Sequence, residues 1–351
     1  MYAKGLQIIP VSADQFVLKR GVHELLLTGS GVRRIVEPLL GMLDGASTRE
    51  EILEMFPADS RGDIAQLLTA MVRRGLILES PAPVDMDADE GALERAFFQN
   101  FPVADAALNT LRSASVLVVG VNLVSRALVR GLLESGVGRV VLANDPVLDN
   151  FLSPLARAGE HAWGIRAPDR LVRIAAMPDR ADLKLICATS DFGEADALFE
   201  INRMAVDDGV PYLPAWVADL IGHIGPLVYP RETACLRCYR LRADSNDEQY
   251  QVKRAIRGFV TVDEGARAAA GLLSPMASIV GEIAAMEVVK SLVEFAPSNV
   301  TGRQIQMNLV SFGAAVRRVL KIPRCPDCSE QTRHSPRAIT VGPQIANRGA
   351  R

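Results

Sequence analysis

The sequence predicts an α/β fold: a sheet of the nucleotide-binding type, preceded by a small α+β domain of winged-helix pattern. Three observations predict it. The first is Ser115–Asp145, SVLVVGVNLVSRALVRGLLESGVGRVVLAND. Val116–Val119 is a short β-branched apolar run ending in Gly120, which suits a buried parallel strand. Leu123–Leu133 then carries apolar residues at helical spacing, Gly136 permits a left-handed cap, and Arg139–Leu142 reads as a second buried strand. Strand, helix and strand in about thirty residues make a right-handed βαβ unit. The second observation is that strand and helix patterns continue to Leu320, and the third is that residues 1–80 carry short strands followed by three helical stretches.

The loop inside the βαβ unit departs from a phosphate site. Several glycines normally let the backbone approach a phosphate at the helix N-terminus. Here Gly120 is followed by Val121, Asn122, Leu123, Val124 and Ser125, so branched side chains are expected where a phosphate would lie.

The chain has 351 residues, net charge −2 and five cysteines. That length suits two domains, and the charge gives no reason to expect nucleic acid or an anionic membrane as partner. The N-terminus lacks the apolar run of a secretory signal, and no apolar stretch reaches the ~18 residues of a membrane span. Four cysteines fall in two CxxC pairs, which in a reducing compartment points to metal. The chain therefore reads as soluble and cytoplasmic.

In order, Leu6–Pro10, Gln15–Lys19 and His23–Leu27 are strand candidates. Val32–Leu43 is helical. Ser47 opens a second helix as a capping box with Glu50, and a third starts near Ser60 or Asp63, carrying Ile64, Leu67, Leu68, Met71 and Val72. Leu76–Leu78 closes this module as a last short strand. Three helices and a small sheet suggest a DNA reader, but the third helix carries only Arg73 and Arg74, at its C-terminal end. A recognition helix needs more positive charge. Residues 81–111 read as a linker with an acidic run, Asp85–Glu90, and a short helix at Leu93–Phe101. Beyond the βαβ unit, Pro146–Arg170 lacks periodicity. Asp182–Ala188 is a strand, Ala195–Val206 a helix, Val210–Leu213 a strand, and Trp216–Tyr229 reads as paired strands. Arg240–Arg267 reads as a mobile crossover. Pro275–Phe295 is the longest helical pattern, apolar enough to be a buried central helix. Gln304–Val310 and Ala314–Leu320 close the sheet, and the polar residues 331–351 read as a disordered tail.

The strongest chemical signal is Cys235-Leu-Arg-Cys238 with Cys325-Pro-Asp-Cys328. Two such knuckles complete the tetrahedral site zinc prefers, and four thiolates leave no open position for water, so the role would be structural. The alternatives are unliganded reduced cysteines or redox-active pairs. Cys187, inside a strand pattern, reads as a small buried hydrophobe.

VLVVG, SGVGRVVLAND, PLVYPRETACLRC, SPMASIVGEIAAMEVVKSL and PRCPDC occur in an order that resembles ThiF/MoeB-type proteins, the adenylating enzymes related to ubiquitin activators. The resemblance covers roughly residues 112–330. It implies a Rossmann-like mixed sheet with helices on both faces, a structural zinc on the four cysteines, and a homodimer. Residues 1–80 resemble the leader-peptide recognition element of ribosomal-peptide modification systems, through the strand pattern, LLGMLDGASTREEI and RRGLIL. In that element a peptide adds a strand to the small sheet and lies against the third helix.

The resemblance also shows what has changed. The glycine-rich loop becomes Gly120–Ser125, and the ribose-holding acid falls at Asn144 or Asp145. The segment bearing the phosphate-assisting arginine corresponds to Phe151–Arg157, with the arginine displaced to Arg157. The following lysine has no counterpart, and the magnesium-linked aspartate falls one place late, at Asp191. A triphosphate transition state needs cations and metal-bound carboxylate in register, so ATP and magnesium are not expected as cofactors. Gly120, Asn122, Asp145 and Asp191 are then vestigial nucleotide-site residues.

The combination resembles the partner proteins of azole- and thiazoline-forming (TOMM, bacteriocin-type) clusters, which present a precursor peptide to a separate YcaO-type cyclodehydratase. On this reading the protein is a non-catalytic binder. His23, Leu25 and Leu27 form the receiving edge strand, and Ile64, Leu67, Leu68 and Met71 line the groove, about half of these four touching peptide. The alternative is a peptide-adenylating enzyme using Asp191, Asp145, Arg157 and Asn122; a winged-helix regulator is a third reading.

Overall fold

The computed structural model describes residues 1–77, 91–150, 168–262 and 271–329, apart from positions 2, 4, 5, 13, 31, 99, 102, 103, 176, 177 and 179–181. The acidic run, Phe151–Arg157 and the tail 331–351 lie outside the described residues. The chain divides into two compact units, Met1–Thr110 and Leu111–Arg351.

The first unit opens with three antiparallel strands in the order β1-β2-β3: β1 (Gln7–Ser12), β2 (Gln15–Arg20) and β3 (His23–Thr28). Strand alternation sends Phe16, Leu18 and Leu25 inward. Helices α1 (Val32–Gly41), α2 (Arg49–Glu54) and α3 (Arg61–Arg73) cover that face. Leu18, Leu39, Ile52, Ile64, Leu68 and Met71 form their shared core. Two expectations are corrected here. The capping box of α2 is one residue later than Ser47: Thr48 Oγ1 accepts the Glu51 N–H at 3.3 Å, and Glu51 Oε2 accepts the Thr48 N–H at 2.8 Å. The sequence offers the motif in both registers, and both bonds form in this one. Leu76 and Ile77 are buried core residues rather than a strand, and Leu78 is outside the described residues. Helix α4 (Ala92–Phe98) follows, and α5 (Ala104–Ser113) runs through the division point.

The second unit contains, in order, β4 (Ser115–Val119), α6 (Leu123–Glu134), β5 (Arg139–Ala143), β6 (Leu171–Ile174), β7 (Leu185–Ser190), α7 (Asp196–Asp208), β8 (Tyr212–Ala218) and β9 (Ile221–Ile224). Then come α8 (Leu236–Ser245), α9 (Tyr250–Val262), α10 (Ser274–Val293), β10 (Arg303–Asn308) and β11 (Ala314–Arg318). The sheet order is β11-β10-β9-β8-β7-β4-β5-β6. Strands β4 to β8 pair in parallel, and β9 to β11 are antiparallel. The sheet is therefore mixed, as expected.

Helices lie on both faces. Leu117 and Val119 of β4 share one cluster with Leu198 and Phe199 of α7 and Leu236 of α8. Helices α6 and α10 pack together with β4, β8 and β9. Glycines allow that approach: a Cβ on Gly281 would lie 2.7 Å from Ala127 Cβ, and one on Gly131 would lie 2.9 Å from Ala285 Cβ. The expected central helix is buried along one side only, since Met286 is 47% exposed.

The expected crossover at Arg240–Arg267 is a further correction, because α8 and α9 occupy most of it. Both helices are anchored by charge: buried Glu194 ion-pairs with Arg240 of α8, and Arg257 of α9 lies 3.8 Å from Glu194 and 3.3 Å from Asp244. Strand β6, four residues long, was not legible in the aperiodic stretch before it.

Candidate functional site

Strands β5 and β7 flank β4, so the direction of strand succession reverses there. Open α/β sheets bind ligands in the crevice beyond the C-terminal strand ends at such a point. Gly120 and Asn122 follow β4, Asp145 follows β5 and Asp191 follows β7, which brings all four expected nucleotide-site residues to the C-terminal strand ends.

What they do there is close it. Gly120 has φ +95°, and a Cβ on it would lie 2.7 Å from Leu148 Cβ and 2.9 Å from the Thr189 carbonyl oxygen. Asn122 caps α6. Its Oδ1 accepts the N–H groups of Val124 and Ser125 at 3.1 and 3.0 Å. Its Nδ2 donates to the carbonyls of Leu148 and Thr189 at 3.1 and 2.9 Å. The Asn122 N–H donates to Ser125 Oγ at 2.9 Å. Asp191 Oδ2 accepts the Leu123 N–H at 2.9 Å, and Oδ1 accepts Asn150 Nδ2 at 2.7 Å. Asp149 Oδ1 accepts the Val121 N–H at 2.6 Å. Each backbone donor from Val121 to Ser125 therefore has an acceptor within the chain. A phosphate at a helix N-terminus needs those donors free, and here it would have to displace a buried carboxylate. The branched side chains expected to fill this place instead pack inward, Val121 and Val124 being fully buried.

Burial raises the Asp191 carboxyl above its ordinary pKa, against the opposing pull of the Leu123 and Asn150 hydrogen bonds. Asp149 is raised for the same reason. Asp145, the ribose candidate, caps its own turn by accepting the Val147 and Leu148 N–H groups at 2.9 Å each. Asn144 donates to Asp149 Oδ2 at 2.7 Å. Sequence reasoning missed Asp149 and Asn150, which sit in a stretch with no motif. Arg157 is outside the described residues.

The four expected cysteines come together. All four Sγ atoms are buried and lie within 4.8 Å of one another. The contacts Cys235–Cys238, Cys235–Cys325 and Cys238–Cys328 are 3.9, 3.6 and 3.5 Å. A tetrahedral ion with sulfur at about 2.3 Å sets sulfur–sulfur edges of about 3.8 Å, so the donor set fits a divalent metal such as zinc. Such spacing is far beyond a disulfide bond. The Ile322 N–H points at Cys238 Sγ, 3.4 Å away. Asn202 of α7 joins the two knuckles, accepting the Leu236 N–H at 3.0 Å and donating to Asp327 at 2.9 Å.

In the first unit, β3 is a free edge of its sheet among the described residues. Beside its C-terminal end lies an open groove of about 120 Å³. Leu27 and Thr28 of β3, Val32, Ile35 and Val36 of α1, and Asp63, Ile64 and Leu67 of α3 line it. Three of the seven residues expected to bind peptide, Leu27, Ile64 and Leu67, are there. Leu25, Leu68 and Met71 are core residues away from the groove. His23 packs on Gly75 and bonds the Asn100 carbonyl at 3.1 Å through Nε2. The wall formed by α1 was missed, because helical spacing marks a stripe without saying which margin stays open.

Among the described residues no helix is long and apolar enough to cross a membrane. No curated protein matches the chain in sequence. Among solved structures, Escherichia coli MccB with succinimide superposes with a TM-score of 0.67 at 14% identity, covering 93% of this chain and 98% of that one. The microcin C7 biosynthetic enzyme MccB in complex with N-formylated MccA gives 0.67 at 15% identity, with 94% and 99% covered. A heterocyclase in complex with substrate and cofactor gives 0.59 at 17% identity, over 94% of this chain but 39% of that one. At such identities the likeness establishes the fold, Rossmann-type sheet and N-terminal three-stranded unit together. The ThiF family model matches residues 167–330, a little under half of the chain.

Proposed function

We propose that this protein binds the leader of a ribosomally made precursor peptide and presents it to a separate YcaO-type cyclodehydratase. Azoline or azole formation would take place on that enzyme, without adenylation here. The observation that carries this reading is the internal closure of the α6 N-terminus: the donors a nucleotide phosphate would use are taken by Asn122, Ser125, Asp149 and Asp191. The groove beside β3 gives the peptide its place, since a free strand edge next to an apolar trough suits strand addition. Neighbouring structures include MccB with MccA and a heterocyclase with its substrate, which supports a peptide partner in ribosomal-peptide modification. The second unit would dock the cyclodehydratase and set the reach between leader and active site, an effective-concentration role. On this reading the four cysteines hold a structural zinc, the protein is a cytoplasmic homodimer, and neither nucleic acid nor membrane is a partner.

A second reading, a peptide-adenylating enzyme, is favoured by the likeness of both units to MccB, which has been solved with ATP. Calorimetry with a leader peptide and with ATP–Mg²⁺, beside a pyrophosphate-exchange assay, separates the two. We expect leader binding of micromolar order, roughly −8 kcal/mol, with no ATP heat and no exchange. Peptide-dependent exchange that vanishes in Asp191→Ala would make this protein the activating enzyme instead.

A further inference from the structure

The groove beside β3 is apolar on its walls and charged at one point. Asp63 is the single charged residue among the eight that line it. It is exposed, and it has no hydrogen-bond or ion-pair partner among the described residues. Two arginines close to the groove in sequence, Arg61 and Arg33, are engaged elsewhere. Arg61 donates to the carbonyls of Phe56 and Glu54 at 2.9 and 3.1 Å, and Arg33 pairs with Glu37 at 2.5 Å. An occupant therefore meets an unneutralised carboxylate at the lip of an apolar trough.

The geometry also fixes a spacing. Asp63 and Leu67 are one turn apart on α3, and a helical turn rises 5.4 Å. A strand added beside β3 directs every second side chain to the groove, and positions i and i+2 lie about 6.6–6.8 Å apart. One groove-facing side chain can thus fill the space near Ile64 and Leu67 while the next reaches Asp63.

We infer that the groove selects an extended peptide segment in which an apolar residue and a lysine or arginine stand two positions apart, with Asp63 reading the cation. This deepens the leader-binding reading and rests on it. The apolar side chain supplies burial and the cation fixes register. Sliding the peptide by one residue would turn both side chains away from the groove.

The test is a display selection from a random 12-residue library on the full-length protein and on Asp63→Lys. The expected wild-type pool carries an apolar residue two positions from Lys or Arg, and the Asp63→Lys pool keeps the apolar residue but exchanges the cation for Asp or Glu. A wild-type-selected peptide should also bind Asp63→Asn about tenfold more weakly, and that loss should shrink in 0.5 M salt. Asparagine keeps the side-chain acceptor in the first turn of α3, so this variant stays informative if lysine disturbs the helix. Enriched peptides carrying the same residues on wild type and Asp63→Lys, with unchanged affinity for Asp63→Asn, would overturn the role of Asp63 while leaving leader binding intact. No enriched peptide on the wild-type protein would overturn both.

Discussion

Asp191 is a carboxylate held between two opposing influences. Burial to 5% exposure disfavours its charge, while the Leu123 N–H and Asn150 Nδ2 favour it. Burial is the larger of the two, so the folded-state pKa is raised. Between the unfolded value and that raised value the folded protein binds more protons than the unfolded chain. Stability from this group therefore falls as pH rises through that window and is level above it. An Asp191→Asn side chain does not titrate. Its cost relative to wild type should be larger below that window, where Asp191 is neutral and unpenalised, than above it, where the wild-type carboxylate carries its burial penalty. Each pKa unit of elevation corresponds to about 1.4 kcal/mol of this difference. Urea midpoints of both proteins across an acid-to-neutral pH series measure it. The opposite order would show that the α6 N-terminus holds the anion more strongly than burial penalises it.

At the level of elements, the α3 stripe illustrates what patterning conveys. Ile64, Leu67, Leu68 and Met71 mark an apolar face by spacing alone, but only packing against α1 and β3 makes Leu68 and Met71 core and leaves Leu67 at the groove. A glutamate at position 67 therefore meets solvent as well as the trough. Leu67→Glu should weaken binding of a groove peptide more than tenfold, about 1.4 kcal/mol or more, with Tm moved by about 2 °C or less. Ile64→Glu, placing an unpaired charge at a 1% exposed site, should melt the unit. Fluorescence anisotropy with thermal melts of both variants checks the pair; equal peptide loss with equal melting would remove Leu67 from the groove. The same reasoning explains the rest of the legibility. The βαβ unit, strands β7 and β8 and the two CxxC knuckles were readable because burial there follows period or motif. Helix α9 was not, since Val252, Ile256 and Phe259 have helical spacing yet are 58, 56 and 60% exposed, and the segment reads as polar. Glu194 and Arg240 meet only through the fold.

At the scale of the whole chain, each unit has a core of its own, and the thiolate cluster belongs to the second. It joins the start of α8 to the segment after β11, tying positions 90 residues apart in the chain. Asn202 and Asp327 extend that tie to α7. A structural metal of this kind contributes folding free energy directly, because the site does not exist in the unfolded chain. The purified protein should carry about one zinc per chain by elemental analysis, and Cys238→Ala should lose it. Chelation should lower the melting temperature of the second unit on the order of 10 °C, the effect expected for several kcal/mol in a unit of this size. Trp216, stacked on His223 at 4.7 Å between centroids, reports that loss through its fluorescence. The groove lies wholly in the first unit, so a selected peptide should bind the metal-stripped protein within about threefold of its original affinity. Loss of peptide binding in step with the Trp216 signal would show instead that the groove depends on the second unit for its shape, and would tie leader capture to the metal.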